Sequence, residues 1–348
     1  MRIAQVAPLY ERVPPRFYGG TERIVSYLTE ELVRVGHEVT LFASGDSVTA
    51  ARLVPGCTES LRLCTYCTDM LAPHIGQLQM VQDRLHEFDI VHYHTDYGHF
   101  PLSRINRHPQ LTTLHGRLDL PELQVLYRLY ADMPVVAISD DQKRPLPFAR
   151  WAATIYHGLP PELYAYYPRQ GHYLAFLGRI SKDKGIDKAI EIAKQTGLPL
   201  KIAAKIDLDA KIDKKERSYF EKEIAPLLDH PLLDFLGEIS EEQKNEFIGN
   251  ALCVLFPIDW PEPFGLVMIE SLACGTPVIA FKRGSVPEVI DDGLSGFVVH
   301  DTAAAVQAVG RLHRIRRQDC RGQFEKRFTA RRMTEDYLAV YRQVMHQL

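Results

Sequence analysis

Short apolar, β-branched runs alternate with amphipathic helical stretches along the whole chain, and this alternation is the strongest constraint on its fold. In the first half the runs are "RIAQVAP", "EVTLFAS", "FDIVHYH", "QLTTLHG", "PVVAIS" and "ATIYHG". In the second half they are "YLAFLGR", "LKIAAK", "LDFLGE", "ALCVLFP", "PVIAF" and "GFVV". Strands that are apolar on both faces and separated by helices predict a parallel sheet covered on both sides. Two such series predict an α/β protein with two doubly wound, Rossmann-like domains. The seam is expected at "GLPPELYAYYPRQGH" (158–172), rich in Pro and Tyr and without periodicity, which divides the chain into domains 1–165 and 166–330. The last segment places Met333, Tyr337, Val340, Tyr341 and Val344 on one stripe and reads as an amphipathic helix.

Length agrees with this division, because 348 residues exceed one ordinary hydrophobic core. The 46% hydrophobic and 24% charged fractions belong to a globular chain. A net charge of −3 gives no reason to expect nucleic acid. No apolar run approaches the roughly 20 residues of a membrane span. The opening "MRIAQVAPLY" reads as a strand and lacks the apolar core and cleavage site of a signal peptide. Six cysteines in so long a chain predict no disulfide framework and a reduced, cytoplasmic protein. Nine Arg or Lys residues within 311–332 read as a solvated helix face, with a membrane-surface patch as the less common use.

In parallel α/β sheets ligands gather where strands run into helices, so the chemistry is sought there. After the first strand, Gly19 and Gly20 open a helix and let backbone N–H groups approach an anion; the plain alternative is a flexible turn with Thr21 as the N-cap. His115 ends the run "LTTLHG". In "VHYHTDYGH" His92 and His94 fall on one face of a strand and, with Asp96 and His99, make up the residue types of a metal site. No helical pair such as H-E-x-x-H accompanies them, and no metal is expected. In "FLGRISKDKGID", Arg179 and Lys184 follow a strand and precede a helix beginning near Gly185. A planar fork and a point charge at that place suit a diphosphate. In "DWPEPFGLVMIESLACGTPVIA" (259–280), Pro263 and Gly265 bracket a helix start. Glu262 precedes that start and Glu270 lies about a turn and a half inside. Carboxylates accept hydrogen bonds from hydroxyl pairs, so a polyol is their natural partner. A ligand carrying both diphosphate and sugar hydroxyls is a nucleotide sugar. The C-x-x-C of Cys64 and Cys67 lacks a second pair, and neither a P-loop nor a G-x-G-x-x-G is present.

The strand–loop–Gly-Gly opening, "GRISKDKG" and "EPFGLVMIESLACGTPVIA" followed by "VPEVIDDGLSGFVV" together resemble the retaining glycosyltransferases of family four, which carry a Glu-x7-Glu signature. The resemblance implies the GT-B fold, two such domains facing each other across a cleft, with the terminal helix 331–348 returning to the first. It implies an acceptor-side first domain and a donor-binding second domain. It gives Glu262, Arg179, Lys184 and His115 to catalysis: Glu262 on the donor sugar's hydroxyls, the two cations on the diphosphate, His115 against the sugar near the reacting carbon. It gives Glu270 to the nucleotide ribose, Ile239 to the nucleobase, and Gly19, Gly20, Phe264, Gly265 and Leu266 to donor binding. Two departures stand out: Lys205 replaces glycine-rich sequence near the donor and would add charge there, and His157 replaces an Asn-Gly at the hinge. The implied reaction is a metal-independent, retaining transfer of a hexose, glucose from UDP-glucose ahead of mannose from GDP-mannose, without a cofactor. A small alcohol (a pterin, for example), a glycan or a lipid-linked sugar is open as the acceptor, with or without peripheral membrane contact. A non-catalytic nucleotide-sugar binding protein is the rival from another class. A dinucleotide-dependent epimerase or dehydrogenase lacks its glycine fingerprint.

Overall fold

A computed structural model describes residues 1–16, 19–62, 64–205 and 214–347; Phe17, Tyr18 and Leu348 of the segments discussed above lie outside them. The chain forms two compact units. One comprises Met1–Pro160 and Thr329–Leu348, the other Pro161–Phe328.

The first unit holds a seven-stranded sheet whose pairings are all parallel. Its strands are β1 (Arg2–Val6), β2 (Glu38–Ser44), β3 (Arg52–Cys57), β4 (Ile90–Tyr93), β5 (Gln110–Thr113), β6 (Pro134–Ala137) and β7 (Arg150–Thr154), in the spatial order β3-β2-β1-β4-β5-β6-β7. Alternation along β2 shows why both faces are covered. Phe42 joins Leu78 and Val81 of the helix Leu71–Gln82 on one side, and Leu41 and Ala43 join Val25 of the helix Gly20–Arg34 on the other.

The second unit repeats the plan with six parallel strands: β8 (Leu174–Arg179), β9 (Leu200–Lys205), β10 (Leu233–Gly237), β11 (Cys253–Phe256), β12 (Val278–Phe281) and β13 (Gly296–Val299). Their order is β10-β9-β8-β11-β12-β13. The helices Ile186–Thr196 and Thr302–Val309 pack together, while Leu266–Ala273 packs with Glu241–Gly249 and Arg317–Arg327.

Four details depart from what the sequence leads one to expect. β3 is absent from the expected strands because Pro55 and Gly56 read as breakers; both are tolerated in a strand at the sheet edge. The run "ATIYHG" is strand only to Thr154, so His157 lies beyond it. Residues 161–165 belong to the second unit and 329–330 to the first. Arg321 explains the former by donating from Nη1 to the Tyr164 carbonyl at 2.9 Å, and the Ala330 N–H explains the latter by donating to the Leu159 carbonyl at 2.8 Å. Finally, the basic segment is not simply solvated. Arg317 is buried and donates to the carbonyls of Tyr167 (2.6 Å), Ala251 (2.9 Å) and Gly249 (2.6 Å), joining two separate backbone segments with one guanidinium.

The terminal helix Ala330–His346 packs on the helix Gly20–Arg34 and on β5 of the first unit, burying Met333, Tyr337, Val340, Tyr341 and Val344. Among the described residues no helix is long and apolar enough to cross a membrane. The six cysteines are free thiols.

Glu22, in the first turn of the helix Gly20–Arg34, is buried near the ion pair of Glu11 and Arg62 (2.8 Å). Burial is the main cause that pushes its carboxyl up to about 7, with the Glu11 charge adding to it. The native state therefore holds a proton that the unfolded chain releases near pH 4.5. Stability is full below that pH and is lost as pH rises towards 7, by up to about 3 kcal/mol. Chemical denaturation of the wild type and Glu22→Gln from pH 5 to 8 is expected to show the variant gaining relative stability as pH rises. Parallel profiles would contradict the assignment.

Candidate functional site

In the second unit the strand order reverses between β8 and β11, and the crevice outside such a switch point is where doubly wound sheets bind ligands. Arg179 is the last residue of β8 and stands in register with Lys205, the last of β9. Lys184 closes the single 3-10 turn Lys182–Lys184 that follows β8, and Gly185 then caps the helix Ile186–Thr196 with φ 71°. A side chain at Gly185 would place its Cβ 2.1 Å from the Pro257 carbonyl oxygen, so this glycine lets the β8 and β11 loops touch.

From the β11 side comes Glu262. Lys184 Nζ donates to its Oε2 at 2.5 Å, and Trp260 Nε1 donates to the same oxygen at 3.0 Å. The pair is largely shielded, with 17% and 13% of the lysine and glutamate side chains exposed. The loop 282–285 holds Glu262 from behind: the Ser285 N–H donates to the Glu262 carbonyl at 3.0 Å, and a Cβ on Gly284 would lie 2.3 Å from that oxygen. Ser285 Oγ also donates to the Phe264 carbonyl at 2.8 Å, which fixes the turn before the helix Leu266–Ala273. Gly265 takes the N-cap position of that helix with φ 78° and no capping side chain. The Met268 N–H donates to the Gly265 carbonyl at 3.0 Å, and no side chain caps the N–H groups ahead of it, an arrangement that suits a bound anion. Phe264 is buried beneath them.

Glu270 lies inside that helix and is buried; Lys244 Nζ donates to its Oε1 at 3.0 Å and to Glu241 Oε2 at 3.1 Å. Arg179 Nη1 donates to Glu216 Oε1 at 3.0 Å. Ile239 follows β10 and is half-buried, with Glu238 exposed beside it. Arg179, Lys184, Lys205, Ile239, Glu262 and the 264–266 turn therefore all stand at carboxyl ends of neighbouring strands. Lys244, Glu216, Trp260, Gly284 and Ser285 are contacts that the sequence reading did not single out. All but Trp260, which lies two residues from Glu262, meet their partners only through the fold, and only the lysine directly after "ISEEQ" could have drawn attention as a cation on a helix.

The remaining expected residues lie in the first unit. Gly19 is the N-cap of the helix Gly20–Arg34, with φ 156°, so Thr21 sits in the first turn and does not cap it. That glycine is packed against Pro15, whose Cβ a side chain at Gly19 would approach to 2.8 Å. The sheet's own switch point falls between β1, which leads to Gly19 and Gly20, and β4, which leads to His94 and Asp96. His115 follows β5, is half-buried, and lies 2.9 Å from His94, with its ring stacked on that of His157 at 5.3 Å. Asp96 adopts a left-handed φ of 51°.

The histidines of "VHYHTDYGH" do not assemble a metal site. His92 uses both ring nitrogens on Tyr341 (2.7 Å) and Thr113 (2.8 Å), and His99 uses both on Ser103 and Thr112 (2.8 Å each). Among the described residues no three His, Cys, Asp or Glu side chains are grouped to hold a metal ion.

Comparison with known proteins agrees with this geometry. The family model "Glycosyl transferases group 1" matches residues 168–327, and "Glycosyltransferase Family 4" matches 18–154. A phosphatidyl-myo-inositol mannosyltransferase of Mycolicibacterium smegmatis is 26% identical, covering 99% of this chain and 92% of its own. An uncharacterized glycosyltransferase of Methanocaldococcus jannaschii is 24% identical over 86% of this chain and 85% of its own. Among solved structures, sucrose-phosphate synthase from Thermosynechococcus elongatus superposes with a TM-score of 0.81 at 18% identity, covering all of both chains. The Anabaena protein HepE in complex with UDP-glucose superposes with a TM-score of 0.74 at 18% identity, again over all of both. With the Glu-x7-Glu pair, the two cations and both doubly wound sheets in place, the chain belongs to glycosyltransferase family four and is a glycosyltransferase of the GT-B fold.

Proposed function

We propose that the protein is a retaining, metal-independent hexosyltransferase that moves glucose from UDP-glucose to an acceptor hydroxyl, with the second unit as donor domain and the first as acceptor domain. The observation that carries this reading is the convergence of Lys184 and Glu262 at the β8–β11 switch point, with Arg179 at the end of the same strand. Breaking a sugar–diphosphate bond puts negative charge on the leaving phosphate and positive charge on the anomeric carbon. Arg179, Lys184 and the N-terminal N–H groups of the helix Leu266–Ala273 supply positive charge to the first without a divalent ion. In the structure these cations pair with Glu216 and Glu262. The diphosphate replaces those carboxylates, and Glu262, released from Lys184, accepts hydrogen bonds from the sugar hydroxyls. Glu270, oriented by Lys244, takes the ribose diol with its second oxygen. Gly19 and Gly20 add backbone donors for the diphosphate, Lys205 adds charge near the donor, and His115 takes the place against the sugar that the family resemblance gives it. The departing phosphate oxygen removes the acceptor's proton on the same face, which gives retention. Free thiols suit a cytoplasmic setting.

Uracil needs a flat apolar contact and one or two backbone hydrogen bonds, which half-buried Ile239 and the end of β10 can offer. HepE, whose structure contains UDP-glucose, supports the same choice. The mannosyltransferase relative favours a second reading, transfer of mannose from GDP-mannose, in which Glu238 turns inward to meet guanine.

Arg179→Ala or Lys184→Ala is expected to lower turnover in donor hydrolysis or transfer by about a hundredfold or more, or about 3 kcal/mol, with the fold intact. Wild-type turnover is expected to be the same in EDTA as in magnesium. Near-normal turnover of both variants would sink the assignment, and a loss on chelation that a divalent ion restores would reinstate a metal.

Calorimetric titration with UDP and with GDP separates the two donors. UDP is expected to bind more tightly; a tenfold preference for GDP, about 1.4 kcal/mol, would overturn the choice of base.

A further inference from the structure

A continuous chain of hydrogen bonds leads from His115 into the interior of the first unit. His115 Nε2 lies 2.9 Å from His94 Nδ1, and His94 Nε2 lies 2.8 Å from Gln5 Oε1. Gln5 Nε2 donates to the Tyr341 hydroxyl at 3.0 Å, and that hydroxyl lies 2.7 Å from His92 Nδ1. His92 Nε2 is 2.8 Å from Thr113 Oγ1, which is 2.8 Å from the Tyr337 hydroxyl. Gln5, His92, His94, Thr113, Tyr337 and Tyr341 are all buried, so bulk water does not replace a missing partner.

Burial keeps these rings neutral. It holds His92 and His94 well below the usual histidine range and lowers His115 to about 3. A neutral imidazole has one donor and one acceptor nitrogen. A carboxamide oxygen only accepts, so His94 Nε2 must carry the proton that meets Gln5. His94 Nδ1 is then a bare lone pair, and His115 Nε2 must donate to it. On the other branch Tyr341 accepts from Gln5, so its own proton goes to His92 Nδ1. His92 Nε2–H goes to Thr113, whose hydroxyl shares a hydrogen bond with that of Tyr337. Every donor from His115 to His92 meets an acceptor in this one direction.

We infer that Gln5, acting through His94, is a positioning residue that fixes His115 as the Nε2–H tautomer, so that His115 meets its ligand with an unprotonated Nδ1 and selects a sugar hydroxyl that donates to it. The β1 residue thereby excludes His115 from acting as a proton donor through Nδ1. The link to turnover rests on the proposed place of His115 against the donor sugar; the tautomer itself does not.

The test is long-range 1H–15N correlation on the full-length protein with 15N-labelled histidine. In the wild type, His92, His94 and His115 are expected to be protonated at Nε2 and bare at Nδ1. Protonation of His94 and His115 at Nδ1, which the opposite orientation of the Gln5 carboxamide requires, would overturn the inference. Gln5→Met removes the accepting oxygen and is expected to move the His115 proton towards Nδ1, lowering kcat for donor hydrolysis about tenfold with KM changed less than twofold. Gln5→Glu keeps an accepting oxygen and the Nε2–H tautomer. An unchanged His115 signature in Gln5→Met would contradict the relay, and if that variant does not fold the wild-type spectrum decides alone. Undiminished turnover of His115→Ala would end the placement of His115 at the sugar and leave the tautomer assignment standing.

Discussion

The Lys184–Glu262 ion pair is the interaction on which the architecture at the second sheet's switch point depends. It joins the loop after β8 to the loop after β11, the two strands between which the sheet order reverses. Neither side chain is well solvated, and a shielded ion pair returns little of its desolvation cost as stability. Under the proposed function, the pair stores two charges that a ligand would use. A polyanion offers Lys184 a better partner than a single carboxylate, and the freed glutamate finds hydroxyl donors on the same molecule. The neighbours are built to permit this. Trp260 holds the same glutamate oxygen, loop 282–285 fixes its backbone, and Gly185 allows the close approach of the two loops. Arg179–Glu216 and Lys244–Glu270 repeat the arrangement on either side, so these charges are balanced within the protein.

The first unit uses its polar interior differently. Its buried histidines are satisfied within a hydrogen-bonded chain that spans β1, β4, β5 and the terminal helix. That chain explains why a helix from the far end of the sequence belongs to this unit. Tyr337 and Tyr341 complete hydrogen bonds that Gln5, His92 and Thr113 would otherwise leave unmade, each at a cost of about 1–3 kcal/mol.

Much of the fold was legible in the sequence because strands buried on both faces leave unbroken apolar runs. β3 was not, since an edge strand carries Pro55 and Gly56 without penalty. The candidate site residues that announced themselves were those at loop–helix junctions: Arg179, Lys184, Glu262 and the glycines beside them. Glu216, Lys244 and Trp260 were silent because their meaning lies in which carboxylate or cation they meet, and in the cases of Glu216 and Lys244 the partner is distant in sequence. Arg317 misled for a related reason. A run of basic residues reads as a wet surface, yet this guanidinium is buried against three carbonyls from two separate loops. The histidines of "VHYHTDYGH" showed their residue types but not their partners, and the partners decide between metal ligation and a hydrogen-bonded relay.

Hydrogen–deuterium exchange with and without UDP-glucose tests most directly whether the switch point of the second sheet is the donor site. Saturating donor is expected to protect the backbone amides of 182–186 and 264–268 more than any other segment of the second unit. Protection absent from both segments at saturation, or confined to Met1–Pro160, would contradict it.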